Sequence, residues 1–325
     1  MIGQEISTAA EYLKNGEVIA IPTETVYGLA ANAFDTLAVA KIFEIKNRPR
    51  FNPLIVHIKD LDYIHTIAND VDERLMHLLQ VFSPGPLTIL VHKKPIIPDI
   101  VTAGSPKVAI RIPNHPLTLQ LLKKLDFPLA APSANPFQYI SPTSAQQVEE
   151  QLGNKIPYIL DGGKCLIGIE STIVGIENNI PVIYRLGGIS VEEIEREIGN
   201  VIILTDQPEN KTNGENSITT PGQLKKHYAP KKQLLIGTLQ QYIEQIKDKK
   251  IAYITYGKEN LNIRSSNVTI YNLSETQNLL EAASKLFEIL YLIDQSDAEI
   301  IVAKPFPNKG LGRSINDRLK RAATP

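Results

Sequence analysis

Apolar residues recur at helical spacing in a few segments of this chain and form short unbroken runs in many more. Ala9, Ala10, Tyr12 and Leu13 follow Glu5 in an amphipathic helix that ends at Gly16. Residues 18–21 read as a strand. Asp35 then offers an N-cap for a helix running through Ala38, Val39, Ile42 and Phe43 toward Lys46. Further strands are predicted at 54–58, 87–91, 108–112, 158–160, 171–174 and 182–184. Residues 115–125 and 143–152 read as helices, the first ended before Pro128 and the second closed by Gly153, and Ser190 caps a helix over 191–198. Strands outnumber helices and are too irregularly spaced for a βαβ series. Residues 1–204 are therefore expected to form an α+β or mixed-sheet domain rather than a Rossmann unit.

Residues 205–232 break the pattern. They are rich in Asp, Gln, Pro, Glu, Asn, Lys, Thr, Gly and Ser, with almost nothing apolar until Leu224, and read as a linker. The last part, 220–230, carries His227, Tyr228 and two lysines between turn residues, more than a passive tether needs. From 233 to 325 strands at 234–236, 251–256, 268–271 and 300–302 alternate with helices at 239–247, 275–293 and from about 313. That order predicts a smaller α/β domain with parallel pairing. No Gly-x-Gly-x-x-Gly follows its strands, so nucleotide binding is not signalled there.

Length adds that 325 residues suit about two domains. The 43% hydrophobic and 21% charged fractions are ordinary for a globular protein. Net charge is −1, so a basic site must be local. Cys165 is the only cysteine, which leaves no intrachain disulfide or multi-cysteine metal site and suits a reducing compartment. No apolar run approaches membrane-spanning length and the N-terminal segment lacks signal-peptide character, so a cytoplasmic protein is expected.

Candidate chemistry centres on residues 46–57. Lys46, Arg48 and Arg50 surround Pro49, with Asn52 and Pro53 just before an apolar run that ends at His57. Lys and Arg so placed suit phosphate or carboxylate oxygens, although a solvated basic turn would read the same way alone. Residues 22–29 put Thr23, Glu24, Thr25 and Tyr27 ahead of Gly28 at a strand end, a polar rim or a turn with local threonine bonds. Ser133 and Asn135 lie two apart between Pro132 and Pro136, so an extended segment would point both to one side. Arg111 and Arg185 end strands, and Ser171 with Thr172 begins another. Walker-type loops, zinc-ligand clusters and nucleophile elbows are absent from the sequence. The polar groups are donors to anions, which points to catalysis by positioning and charge neutralisation.

These segments, with Ser141-Pro142-Thr143, Asp161-Gly162-Gly163 and residues 170–174, occur in the order of the YrdC/Sua5 family of threonylcarbamoyl-AMP synthases. The linker and the Gly310-Leu311-Gly312…Asn316-Asp317-Arg318-Leu319 segment are similar to the longer Sua5 form, and the resemblance spans nearly the whole chain. It implies a twisted open mixed sheet with a concave, positively charged cavity, followed by a smaller Rossmann-like α/β domain. The implied reaction takes L-threonine, bicarbonate or CO2 and ATP with Mg²⁺ to threonylcarbamoyl-adenylate and pyrophosphate. Its product would pass to a threonylcarbamoyl transferase complex for the t6A37 modification of ANN-decoding tRNA; direct binding of this chain to tRNA stays open. By resemblance, Lys46, Arg48, Asn52, Ser133, Asn135, Ser141 and Arg185 would hold ATP, with Lys46 and Arg48 carrying the catalysis. Thr25, His57, Arg111 and Ser171 would hold threonine, Arg111 facing its carboxylate. Thr23, Tyr27 and Thr172 would line the cavity, and His227 and Tyr228 would close its mouth. No protein metal ligands are implied, Mg²⁺ being held mainly by the ATP phosphates.

The chain departs from the family pattern in two places. Thr220-Pro221-Gly222 with Gln223 and Lys225-Lys226 stands where Ser-Pro-Gly, Met and Arg are usual, and Gly104-Ser105-Pro106-Lys107 precedes Arg111 in place of a small-residue turn. Two other readings compete. One is an RNA-binding module with a basic face, set against cations that stand singly without interleaved aromatics. The other is the carbamoyl-transfer domain of hydrogenase maturation proteins, whose extra zinc-finger and acylphosphatase-like regions have no counterpart here.

Overall fold

The computed structural model describes residues 1–204, 220, 226–258 and 267–324. Eleven strands drawn from the first 203 residues form one mixed sheet. Its order is Ile2–Gly3, Ile159–Leu160, Ile19–Ile21, Gly28–Asn32, Leu129–Ala130, Ile55–His57, Lys107–Arg111, Leu87–His92, Thr172–Glu177, Ile180–Arg185 and Ile202–Ile203. Parallel and antiparallel neighbours alternate irregularly, as the spacing of the apolar runs predicts.

Two local features aim this sheet at its cavity. Helix Thr36–Lys46 starts where the Asp35 carboxylate accepts from the amides of Leu37 and Ala38, and ends at left-handed Asn47, φ 53°. The stop leaves Lys46 on the last turn and releases the loop that carries Arg48 and Asn52. In strand Ile55–His57 the alternation of faces sends Val56 into the main core beside Ala38, Val39, Ile42 and Phe43. Ile55 and His57 turn to the other face, where Ile55 packs with Leu90, Ala109 and Ile173. His57 pairs in register with Arg111 on the parallel neighbour, so the two polar residues stand side by side.

Several elements lie outside the sequence expectation. Strands Gly28–Asn32 and Leu129–Ala130 are built of Gly, Ala, Leu and Asn, and no β-branched residue marks them. Helix Glu73–Phe82 is different, because Leu75, Leu78 and Leu79 do have helical spacing and Asp72 accepts from the Arg74 amide as its cap. Most of the expected linker falls on residues 205–219 and 221–225, outside the described residues.

The second sheet orders Gln233–Ile236, Ile300–Ala303, Ile251–Thr255 and Val268–Asn272, all parallel. Helix Leu279–Gln295 begins at Leu279 rather than near 275, because Asn278 accepts from the amides of Leu280 and Glu281. The two sheet regions share an apolar joint in which Val26, Ile140 and Ile169 pack with Leu286, Phe287 and Ile315. Polar contacts cross it as well: Ser314 Oγ donates to Gly187 O at 2.8 Å, and Arg318 Nε to Glu170 at 3.0 Å.

Arg318 is fully buried, and Glu170 is nearly so. Removing one partner of such a pair strands the other charge, which costs about 3–5 kcal/mol. Arg318→Leu is expected to lower unfolding stability by about that amount in a urea melt. A loss under about 1 kcal/mol would show that the pair does not hold the joint.

Candidate active site

One cavity lies over the sheet face that carries Ile55 and His57. Arg48, Ser133 and Arg185 line it, together with Thr23, Val26, Gly28, Arg111, Ala131, Pro132 and Glu170. His227 and Tyr228 complete the wall, bringing the segment after residue 225 against the sheet. Tyr228 adopts a left-handed φ of 62°, which a bulky side chain rarely takes. Its ring is fixed by Phe287 at 5.3 Å and by the Arg318 guanidinium at 5.1 Å, while the Ala229 amide donates to Gln138 O at 2.9 Å. The C-terminal region thus holds the residues that cover the cavity.

The predicted residues sort into those at the cavity and those behind its wall. Thr23, Arg48, His57, Arg111, Ser133, Arg185, His227 and Tyr228 line it. Lys46 is turned away, donating to Ser133 O and Asn135 O, each at 2.5 Å. Asn135 does not share a side with Ser133. Its amide donates to Pro136 O and Tyr139 O, because the chain bends from Ala134 onward and the two-residue alternation is lost. Asn52 is buried, with neither side-chain atom bonded to another described residue. Ser141 donates to Glu170 at 2.7 Å.

The threonines and Ser171 are committed to structure. Thr23 Oγ1 donates to Val26 O at 2.6 Å, accepts from the amides of Thr25 and Val26, and lies 2.9 Å from Thr25 Oγ1. Thr172 Oγ1 donates to Ile189 O at 2.6 Å and anchors the Gly187-Gly188 turn. Ser171 Oγ sits 2.6 Å from Thr88 Oγ1 and accepts from Arg185 at 3.0 Å. Tyr27 points to the turn at 161–163, donating to Gly163 O at 2.8 Å and accepting from the Gly162 amide.

Sequence reasoning gave no role to Thr88, Glu170 or Arg318, and placed Glu24 only on a polar rim. Glu24, Glu170 and Arg318 stand inside the family's motifs, but only the fold shows that Glu24 lies 2.8 Å from Arg111 and that Glu170 joins Ser141 to Arg318. These partners are far apart in sequence, so no local pattern announces them.

The electrostatics are dominated by buried positive charge. Among the described residues the buried cations are Lys46, Arg48, Arg111, Arg185 and Arg318. Burial and the neighbouring Arg48 hold Lys46 well below the usual amine range. Burial and Arg185 push Arg48 down to about 9, still protonated at neutral pH. Burial pushes Arg185 down to about 10, against the pull of Tyr228 and Glu170. His227 lies well below the ordinary imidazole range through burial and the fields of Arg48, Lys46, Arg318 and Arg185. Such a set favours an anionic guest. It is not the exposed basic face that an RNA-binding module presents. Among the described residues no cluster of three His, Cys, Asp or Glu side chains could hold a metal ion, and no helix is long and apolar enough to cross a membrane.

Comparison with known proteins identifies the family of both parts of the chain. A family profile described as Telomere recombination (Sua5/YciO/YrdC) matches residues 11–187. A second, described as the threonylcarbamoyl-AMP synthase C-terminal domain, matches residues 189–324. The chain is 36% identical over 330 residues to the threonylcarbamoyl-AMP synthase of Pyrococcus abyssi, covering 98% of this chain and 94% of that one. It is 38% identical over 330 residues to the enzyme of that name from Bacillus subtilis, covering 98% and 93%. The crystal structure of P. abyssi Sua5 complexed with L-threonine superposes with a TM-score of 0.89 at 34% identity, covering 99% of this chain and 97% of that one.

The environment of His57 carries a pH signature. Burial, then Arg111, push it down to about 3 from an ordinary 6.5. Between those values the unfolded chain binds the proton more readily, so acid favours unfolding. The His57 contribution is complete above 6.5 and is lost as pH falls toward 3. At about pH 5 it amounts to about 2 kcal/mol. Urea melts should therefore show the unaltered protein losing about 2 kcal/mol more than His57→Gln between about pH 7.5 and about pH 5. Equal losses would contradict a buried neutral His57.

Proposed function

The chain belongs to the Sua5/YciO/YrdC family in its form with the added C-terminal domain, and from that membership we propose how its cavity divides between two substrates. The activity is threonylcarbamoyl-AMP synthesis from L-threonine and ATP. Arg48 and Arg185 take the phosphates, with Lys46 adding its charge from behind Ser133. Arg111 takes the threonine carboxylate, and His57, neutral beside it, faces the threonine hydroxyl and amine. Asn52, Asn135 and Ser141 hold the walls of the nucleotide side, and Thr25 and Ser171 those of the threonine side. The observation that carries this reading is the pairing of His57 with Arg111 in the same cavity that Arg48 and Arg185 line.

The chemistry follows from that division. Bicarbonate or CO2 supplies the carbonyl carbon. The threonine amine attacks it and loses a proton, giving a carbamate; where bicarbonate is the source, its C–OH bond breaks and the hydroxide leaves with that proton as water. A carbamate oxygen then forms a bond to the α-phosphorus while the bond to the bridging oxygen breaks, and pyrophosphate leaves with that electron pair. Two anions must approach while charge builds on the phosphate oxygens, so buried guanidinium groups lower the barrier directly. Mg²⁺ would enter on the ATP phosphates and neutralise them further. Glu24 and Glu170 are already committed to Arg111, Ser141 and Arg318, so the ATP phosphates would hold the ion. His227 and Tyr228 act as a lid that keeps water from the labile mixed anhydride.

The same reading sets residues 1–204 as the catalytic domain, 205–232 as linker and lid, and 233–325 as the support that holds the lid. It places the work in the cytoplasm, with a threonylcarbamoyl transferase complex acting on ANN-decoding tRNA as the consumer of the adenylate. Adenylate formation by Lys46→Ala, Arg48→Ala and Ser133→Ala proteins tests the site. Arg48→Ala is expected to lose about a hundredfold or more in rate, as for other preorganised charge stabilisers. Lys46→Ala should lose a similar amount, and Ser133→Ala less. Near-parental rates in all three would overturn the assignment.

A further inference from the structure

The structure assigns Glu24 the role of positioning residue for Arg111, an assignment that rests on reading Arg111 as the holder of the threonine carboxylate. Glu24 is 4% exposed and sits between Thr23 and Thr25 on the polar rim. Its carbonyl accepts from the Ile167 amide at 2.8 Å, which fixes the backbone. One carboxylate oxygen accepts from the Asn114 amide at 3.0 Å, just past the strand that ends in Arg111. The other lies 2.8 Å from Arg111 Nη2, an ion pair rather than an aligned hydrogen bond. Arg111 Nε donates to Gly85 O at 3.3 Å. The guanidinium is therefore fastened at Nε and Nη2. Its Nη1 has no partner among the described residues and belongs to a side chain that lines the cavity. A flexible side chain is thereby reduced to one presented donor.

Charge gives Glu24 a second consequence. Lys46 and Arg48 are met by carbonyls of Ser133, Asn135, Asn52 and Pro53, which leave their positive charge uncompensated. Arg111 has Glu24 beside it, and that carboxylate offsets its charge. Polyphosphate is drawn toward Arg48, and the amino acid, a zwitterion, meets a site that does not favour phosphate. Glu24 is thus a specificity element that keeps phosphate out of the threonine subsite.

Steady-state kinetics on full-length Glu24→Gln protein test this, with inorganic phosphate as the competing anion. The threonine KM should rise about tenfold, the ATP KM should stay within about twofold, and phosphate should become competitive with threonine. Glu24→Asp keeps the charge at shorter reach, so its threonine KM should rise without phosphate competition; phosphate competition in that variant would overturn the specificity role. Arg111→Lys run beside them separates the two layers. A raised threonine KM in Arg111→Lys with an unchanged one in Glu24→Gln would overturn the role of Glu24 alone. Unchanged threonine KM in both would overturn the threonine subsite and the Glu24 assignment with it. Equal rises in threonine and ATP KM for Glu24→Gln would show a general loss of structure and also overturn it.

Discussion

Cations buried side by side repel one another and lose their hydration, and the layout of this protein follows from housing five of them in one region. The chain answers with two kinds of partner. Backbone carbonyls meet Lys46 and Arg48. A carboxylate meets Arg111, and another meets Arg318. The carbonyls bring no net charge to offset Lys46 and Arg48, so the unliganded cavity is preorganised and electrostatically unfavourable at once. Stability given up there returns as affinity for phosphate.

The same constraint explains the C-terminal region. Arg318 is carried by helix Leu311–Ala322, far along the chain from Glu170, yet its guanidinium reaches that carboxylate and the Tyr228 ring. The apolar joint around Phe287 and Ile169 sets the approach, and the buried ion pair fixes the register. Through Tyr228 and His227 this joint decides whether the cavity is covered. The second sheet contributes no side chain to the cavity wall, but its neighbours hold the wall in place.

Legibility in the sequence followed the range of the interactions. Asp35 and Ser190 act within three residues of themselves, so the starts of their helices were readable. Apolar runs gave most strands and the parallel order of the second sheet. The strands at 28–32 and 129–130 were not readable, because Gly and Ala strands form only when neighbouring strands offer their backbone groups. Family resemblance picked the segments around the cavity but not the direction of each side chain. Lys46 and Asn135 turn inward to each other, and Tyr27 props the 161–163 turn. Those orientations depend on bends and on partners remote in sequence, as do the pairings of Glu24 and Glu170.

The claim that buried, uncompensated cations are the substrate-binding element is tested most directly by pyrophosphate-dependent thermal stability, compared between the unaltered protein and Arg48→Met. At about a hundred times its dissociation constant, pyrophosphate should stabilise the unaltered protein by about 2.7 kcal/mol, less as salt is added. Arg48→Met should lose most of that gain at the same concentration. Equal stabilisation of both proteins, insensitive to salt, would contradict the account.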